Sequence, residues 1–139
     1  MIKYIKGDLF TSKNSLVHCI SEDIKMSAGI AKEFRKRWGV QIDRLAKIEK
    51  PKVGKCLTVC VGKRKYIFNL ITKKNYYDKP TYGDLNNALM DMFKACSVFG
   101  IRTVSMPKIA CGLDKLKWSI VEEMIEIYRG DVEVEVYVI

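Results

Sequence analysis

Short apolar runs alternate with longer amphipathic stretches along this chain. Residues 2–5 and 16–20 are apolar runs bounded by Gly7-Asp8 and Lys13-Asn14, which predicts two strands. Ile30, Phe34 and Trp38 then recur every four residues and Gly39 follows, so the spacing predicts an amphipathic helix over 29–38 with a glycine stop. A weaker helix is expected over 41–49, ending before Pro51. Residues 56–61 and 66–71 read as strands joined by a basic turn at 62–65. Leu85, Leu89, Phe93 and Cys96 form one stripe of a helix that Thr81-x-x-Asp84 caps and Gly100 ends. A strand is expected at Thr103–Met106. Ser119-x-x-Glu122 has the capping-box spacing, predicting a helix to about Arg129 with Gly130 after it. Residues 132–138 close the chain as a strand, with Glu133 and Glu135 alternating against Val132, Val134 and Val136.

The order β-β-α-β-β-α-β-α-β places helices between strands. It predicts one domain over 1–139, a three-layer α/β/α fold with a mixed central sheet. In such sheets ligands sit beyond the carboxyl ends of the strands.

Composition narrows the class. At 139 residues the chain is long enough for a sizeable core. No apolar run approaches the ~20 residues of a membrane span, so no membrane partner is expected. The opening Met1-Ile2-Lys3-Tyr4-Ile5-Lys6 is interrupted by charge and does not read as a signal peptide. Five scattered cysteines without a CxxC, beside a single histidine, exclude a zinc site and point to free thiols in a reducing intracellular compartment, nuclear or cytoplasmic. No metal or cofactor is expected. The net charge of +9 favours polyanionic partners. Its densest clusters are 32–37 and 63–65, whose plain reading is a solvated face and whose alternative reading is contact with a polyanion.

Candidate chemistry gathers at two turns. Lys108-Ile109-Ala110-Cys111-Gly112-Leu113-Asp114 follows the strand that stops at Pro107, and Ser27-Ala28-Gly29-Ile30 opens an earlier helix. Small side chains let an anion approach the backbone N–H groups of such turns. Lys73 ends an apolar run between them. Two anion cradles, one lysine and one aspartate suggest a diphosphate-containing ligand with acid/base or nucleophilic chemistry beside it.

These segments, with Gly7-Asp8-Leu9-Phe10, His18-Cys19-Ile20-Ser21-Glu22-Asp23, Leu70-Ile71-Thr72-Lys73-Lys74 and Lys79-Pro80-Thr81-Tyr82, resemble in this order the macrodomain family, and closely its terminal ADP-ribose protein glycohydrolase branch. The resemblance spans nearly the whole chain. It implies that Asp8 accepts a hydrogen bond from an adenine amino group beside Leu9, with Tyr137 and Ile139 bordering that pocket. Ser21 and Ser27, Ala28, Gly29 and Ile30 would line the distal ribose and diphosphate. Thr72 would stand beside the nucleophile, and Lys108, Ile109, Ala110, Cys111, Gly112 and Leu113 would wrap the diphosphate. Lys73 matches the family's nucleophile and Asp114 its acid/base. The chain departs from the branch at Ser27 and Ala110, where the family usually has glycine; a Cβ there penalises positive φ.

A lysine amine attacks only when neutral, and burial at a strand end in a closed pocket is the expected cause. It would attack the anomeric carbon of the distal ribose, and Asp114 would move protons and resolve the adduct. Each residue has a plainer role: Lys73 as a phosphate binder, Asp114 as a cap, Cys111 as a small turn residue, His18 as a packed side chain, Trp118 as core or pocket wall. The expected function is hydrolysis of ADP-ribose from acidic side chains of proteins, including deacylation of O-acyl-ADP-ribose. The alternatives are a non-catalytic ADP-ribose reader and an ADP-ribosyl-DNA glycohydrolase, the latter by resemblance to bacterial antitoxin macrodomains. The expected partners are ADP-ribose and ADP-ribosylated proteins, with poly-ADP-ribose or nucleic acid on the basic surface, and the chain is expected to act as a monomer.

Overall fold

The apolar runs pair into a single six-stranded sheet in the computed structural model, which describes Met1–Ile139. The strands are β1 (Ile2–Lys6), β2 (Ser15–Ser21), β3 (Cys56–Gly62), β4 (Lys65–Lys73), β5 (Thr103–Met106) and β6 (Glu133–Val138). Their order is β1-β6-β5-β2-β4-β3. Every neighbouring pair is parallel except β3 with β4, so the sheet is mixed as expected. The helices are α1 (Gly29–Glu49), α2 (Tyr82–Phe99) and α3 (Trp118–Tyr128), and a 3₁₀ turn covers Leu9–Thr11.

Alternation along the strands builds the three layers. Leu16, Ile20, Ile67 and Ile71 pack with Phe34 and Ile42 of α1. Their neighbours in sequence, Val17, Phe68 and Leu70, join Leu85, Leu89 and Met92 of α2 and Val121 and Ile125 of α3. Successive side chains of a strand face opposite ways, so a central strand clad by helices on both faces reads as a continuous apolar run.

The expected helices over 29–38 and 41–49 are present as two segments of α1 that meet at a kink, where Trp38 leaves helical dihedrals (φ −134°, ψ 17°) just before Gly39. Gly39 is buried at that kink. A Cβ at Gly39 would lie 3.3 Å from Cγ and one terminal nitrogen of Arg35. The Arg35 side chain runs through that space to Asp43, at 3.0 and 3.1 Å, and to the carbonyl of Ile24. One expectation is corrected at Ser119, which lies within α3 and caps nothing: the helix starts at Trp118 after Lys117, whose side chain makes no capping bond. The backbone N–H of Lys117 instead donates to the Tyr82 hydroxyl of α2 at 3.0 Å, a tertiary contact that replaces the local cap. Trp118 is half-buried against the α2/α3 core, and its indole N–H donates to the Tyr4 hydroxyl at 2.9 Å. The predicted cap and stop of α2 are present: Thr81 Oγ1 accepts from the N–H of Asp84, and Gly100 takes a left-handed φ of 69°.

Candidate functional site

β2, β4 and β5 all point their carboxyl ends toward the start of α1. The segments that follow them enclose a cleft of about 460 Å³. Of the residues expected to act together, Ser21, Ser27, Ala28, Gly29, Ile30, Lys73, Lys108, Ile109, Ala110, Gly112, Leu113 and Asp114 all line it.

Lys73 is the last residue of β4. The β2–β4 register carries Ile20 opposite Ile71 and Ser21 opposite Lys73, so Thr72 is one residue more than regular pairing needs. Such a bulge re-aims the side chain that follows it. Thr72 itself is fully buried, does not line the cleft, and its hydroxyl has no hydrogen-bond partner. The Lys73 ammonium donates to Oδ1 of Asp114 at 2.9 Å, with 16% of each side chain exposed. A carboxylate from the second turn therefore touches the amine at the end of β4.

The two turns leave backbone donors unspent. Ala28 at the N-cap of α1 makes no side-chain bond, and the first turn carries no acidic residue, so the helix dipole and its orphan N–H groups open uncompensated onto the cleft. In the second turn the only backbone bonds donated are Cys111 N–H to Lys108, Lys115 N–H to Gly112 and Leu116 N–H to Ala110, which leaves the N–H groups of Ile109, Gly112, Leu113 and Asp114 outside that internal bonding. Oriented, unspent donors of this kind form an anion site. The two turns also touch each other: a Cβ at Gly29 would lie 3.2 Å from Cδ1 of Leu113.

The two departures from glycine behave differently. Ala110 sits at φ +61°, the conformation a glycine takes freely. Ser27 has no positive φ, so no backbone penalty arises there; the left-handed residues of that loop are Ile24 (φ 54°), Met26 (φ 48°) and Gly29 (φ 61°). A β-branched residue such as Ile24 in this region is an outlier, and the loop holding it borders the cleft.

Asp8, Leu9, Tyr137 and Ile139 do not line the cleft. They sit where β1 and β6 end side by side, joined by a 2.9 Å bond from the Gly7 N–H to the Val138 carbonyl. Asp8 is exposed and its carboxylate accepts from the N–H of Phe10 at 3.0 Å. Leu9 is buried and Tyr137 packs on the same cluster, while Ile139 is exposed. Cys111 also lies outside the lining; burial pushes its thiol up, against the pull of Lys108, which supports the plain reading of a turn residue.

The sequence reading missed Met26, Tyr76, Tyr77 and Asp78 as cleft residues. The signal was the loop that leaves Lys73: the Asn75 N–H donates to the Asp78 carboxylate at 2.9 Å and the Asp78 N–H donates back to the Asn75 carbonyl at 3.0 Å, a turn that brings the tyrosine pair to the rim. Lys79 closes the same loop over the cleft by donating to the Leu113 carbonyl at 3.1 Å.

His18 belongs to the core, as its plainer role required. Its ring stacks on Phe34 with centroids 3.7 Å apart, and its Nε2–H donates to Asn69 Oδ1 at 2.6 Å. Nδ1 has no partner. Burial lowers the pKa to about 4, although the Asn69 bond opposes the shift.

Comparison with known proteins agrees with this geometry. A family model described as "Macro domain" matches residues 17–125. The human protein named ADP-ribose glycohydrolase OARD1 is 45% identical over 142 residues, covering 98% of this chain and 90% of its own. Its counterpart from Bos taurus is equally similar over 144 residues, with the same coverage. The solved macrodomain of Mycobacterium tuberculosis DarG superposes with a TM-score of 0.86 at 26% identity, covering 99% of this chain and 97% of that one. The uncapped helix start, the free N–H groups of the β5–α3 turn and these likenesses together place the chain in the macrodomain family.

Proposed function

We propose that this protein is an ADP-ribose glycohydrolase that releases ADP-ribose from acidic side chains of proteins, and from O-acyl-ADP-ribose by the same ester chemistry. The observation that carries the reading is one cleft holding both an uncapped helix start and the Lys73–Asp114 pair at 2.9 Å. The diphosphate would sit on the N–H groups of α1 and the 109–114 turn, between Gly29 and Gly112. That places the distal ribose at the lysine. Asp8, Leu9, Tyr137 and Ile139, at the neighbouring strand ends, would hold the adenine.

The chemistry runs in two steps. The Lys73 amine forms a bond from Nζ to the anomeric carbon while the bond to the carboxylate oxygen breaks, and the proton it sheds leaves with that carboxylate as the free acid. Asp114 then takes a proton from water, whose oxygen bonds to that carbon as the bond to Nζ breaks, and passes the proton on to the released amine. The net reaction consumes one water and yields ADP-ribose and a free carboxylic acid. Five free cysteines suit an enzyme working in a reducing intracellular compartment.

Turnover of glutamate-linked ADP-ribosylated protein, measured beside ADP-ribosylated single-stranded DNA, tests the reading. Release from protein is expected. Release only from DNA would move the substrate to nucleic acid, and binding of ADP-ribose without release from either would make the protein a reader. ADP-ribose at a hundredfold over its dissociation constant should also add about 2.7 kcal/mol of stability.

A further inference from the structure

A second groove, of about 710 Å³, adjoins the cleft and shares Met26, Ser27 and Gly29 with it. Its outer wall carries Lys25, Lys32, Glu33, Arg35 and Lys36. Two of these charges are already answered: Arg35 pairs with Asp43, and Glu33 pairs with Arg37, each at 3.0 Å. Lys25, Lys32 and Lys36 take part in no ion pair within 4.0 Å; the Lys25 charge is felt by Asp23, and Lys32 and Lys36 have no acidic partner at contact distance. Lys32 and Lys36, four apart on α1, share one helix face.

The groove continues the cleft past Met26, Ser27 and Gly29. The turn after β2 and the turn after β4 are knitted together beside Lys73. The Asp23 carboxylate accepts the N–H of Tyr76 at 2.9 Å and that of Lys25 at 3.2 Å. Glu22 N–H donates to the Lys73 carbonyl at 2.9 Å, and the Lys25 amine lies 5.3 Å from the centre of the Tyr76 ring. Lys25 therefore stands on the loop that is bonded to the end of β4, and Lys32 and Lys36 add their charge along the same groove.

We propose that Lys25, Lys32 and Lys36 form a docking groove for the acidic polypeptide segment that carries the ADP-ribose. This rests on the glycohydrolase reading and deepens it: the groove selects among modified proteins by the carboxylates that flank the modified residue. A polypeptide is favoured over a single-stranded nucleic acid because the groove's lining offers no aromatic side chain on which a base could stack, and it carries a carboxylate, Glu33. The one guanidinium of the groove, which would grip a phosphate with two bonds, is spent on Asp43 and the Ile24 carbonyl.

The test uses two synthetic peptides, each bearing one glutamate-linked ADP-ribose, one flanked by aspartate and glutamate and the other by serine and glutamine. The whole protein should prefer the acidic peptide by about tenfold in kcat/KM, the scale of three exposed ion pairs, and the preference should shrink with added salt. The triple variant Lys25→Gln/Lys32→Gln/Lys36→Gln should treat both peptides alike, while keeping wild-type turnover of the neutral peptide and wild-type affinity for free ADP-ribose. Equal turnover of both peptides by the wild-type protein overturns the groove and leaves the glycohydrolase reading intact. A preference that survives the triple substitution, or a loss matched by lost affinity for free ADP-ribose, also overturns it. A larger effect of the substitutions on ADP-ribosylated single-stranded DNA than on the acidic peptide assigns the groove to nucleic acid instead. No turnover of either peptide overturns the glycohydrolase reading, and the groove with it.

Discussion

Asn69 and Lys73 stand four residues apart on β4, and each holds a polar partner from another element. Asn69 accepts from His18 at 2.6 Å; Lys73 donates to Asp114 at 2.9 Å. The first pair lies in the middle of the sheet, with no exposure at either residue. There the imidazole is neutral, and Asn69 spends its amide on the carbonyls of Leu57 and Ile67 at 3.0 and 3.2 Å. The second pair lies at the strand's end, with enough exposure to carry opposite charges and to meet a ligand. Depth along one strand thus separates two roles. A polar group in the middle must be neutral and bonded, and serves stability. The same kind of contact at the mouth lines the cleft and is open to a ligand.

The largest effect that tests this contrast is at the mouth. Lys73→Ala should reduce ADP-ribose release by at least about a thousandfold while leaving the fold and ADP-ribose binding in place, measured by single-turnover kinetics, circular dichroism and calorimetry. Lys73→Arg should be as inactive, because it keeps the charge but offers no neutral amine. Wild-type turnover by Lys73→Ala would remove the lysine from the chemistry. Asp114→Ala should accumulate a covalent adduct on Lys73, visible as added mass on the intact protein; loss of binding without an adduct would reduce Asp114 to a shaper of the turn.

The next effect is in the middle, and it appears as acid sensitivity of folding. The folded His18 titrates near 4 and the unfolded one near 6.5, so the unfolded chain binds the extra proton between those values. The contribution is fully present above 6.5 and is lost as pH falls toward 4, a change of about 3 kcal/mol by linkage. Urea unfolding at pH 7 and pH 4.5 measures it, and His18→Gln should flatten the slope over that window. An unchanged slope in the variant would locate the acid sensitivity elsewhere.

The smallest effect concerns backbone strain at the mouth. Ala110→Gly should raise stability by about 1 kcal/mol, because glycine takes φ +61° without a Cβ clash. Ser27→Gly lacks that gain and should be neutral or slightly destabilising. Thermal unfolding of the two variants side by side checks whether the two departures from glycine differ in this way.

Six strands, their sequence and the three-layer plan were legible because alternation and apolar run length report burial directly. That Lys73, Asp114 and both turns share one cleft was legible because small residues and a strand-end lysine stand in one recognisable order. What escaped depends on contacts between distant residues. Ser119 reads as a cap until the Tyr82 hydroxyl is seen to take the N–H of Lys117. The carboxylate on the Lys73 amine, and the inclusion of Tyr76 and Tyr77 in the rim, depend on how the loops after β4 and β5 meet. No local spacing encodes that meeting.

The unmatched residue in β4 has a bearing on which genetic changes this site can absorb. A pleated strand has a phase of two, and Thr72 sets the phase in which the chain leaves the sheet. A substitution there alters one side chain. Removing or adding one residue between Ile71 and Lys73 shifts the phase of everything downstream, so that the amine and the Tyr76–Tyr77 pair leave the cleft in a single event. The short span from Ile71 to Tyr77 should therefore vary in composition among functional descendants of this chain while keeping its length.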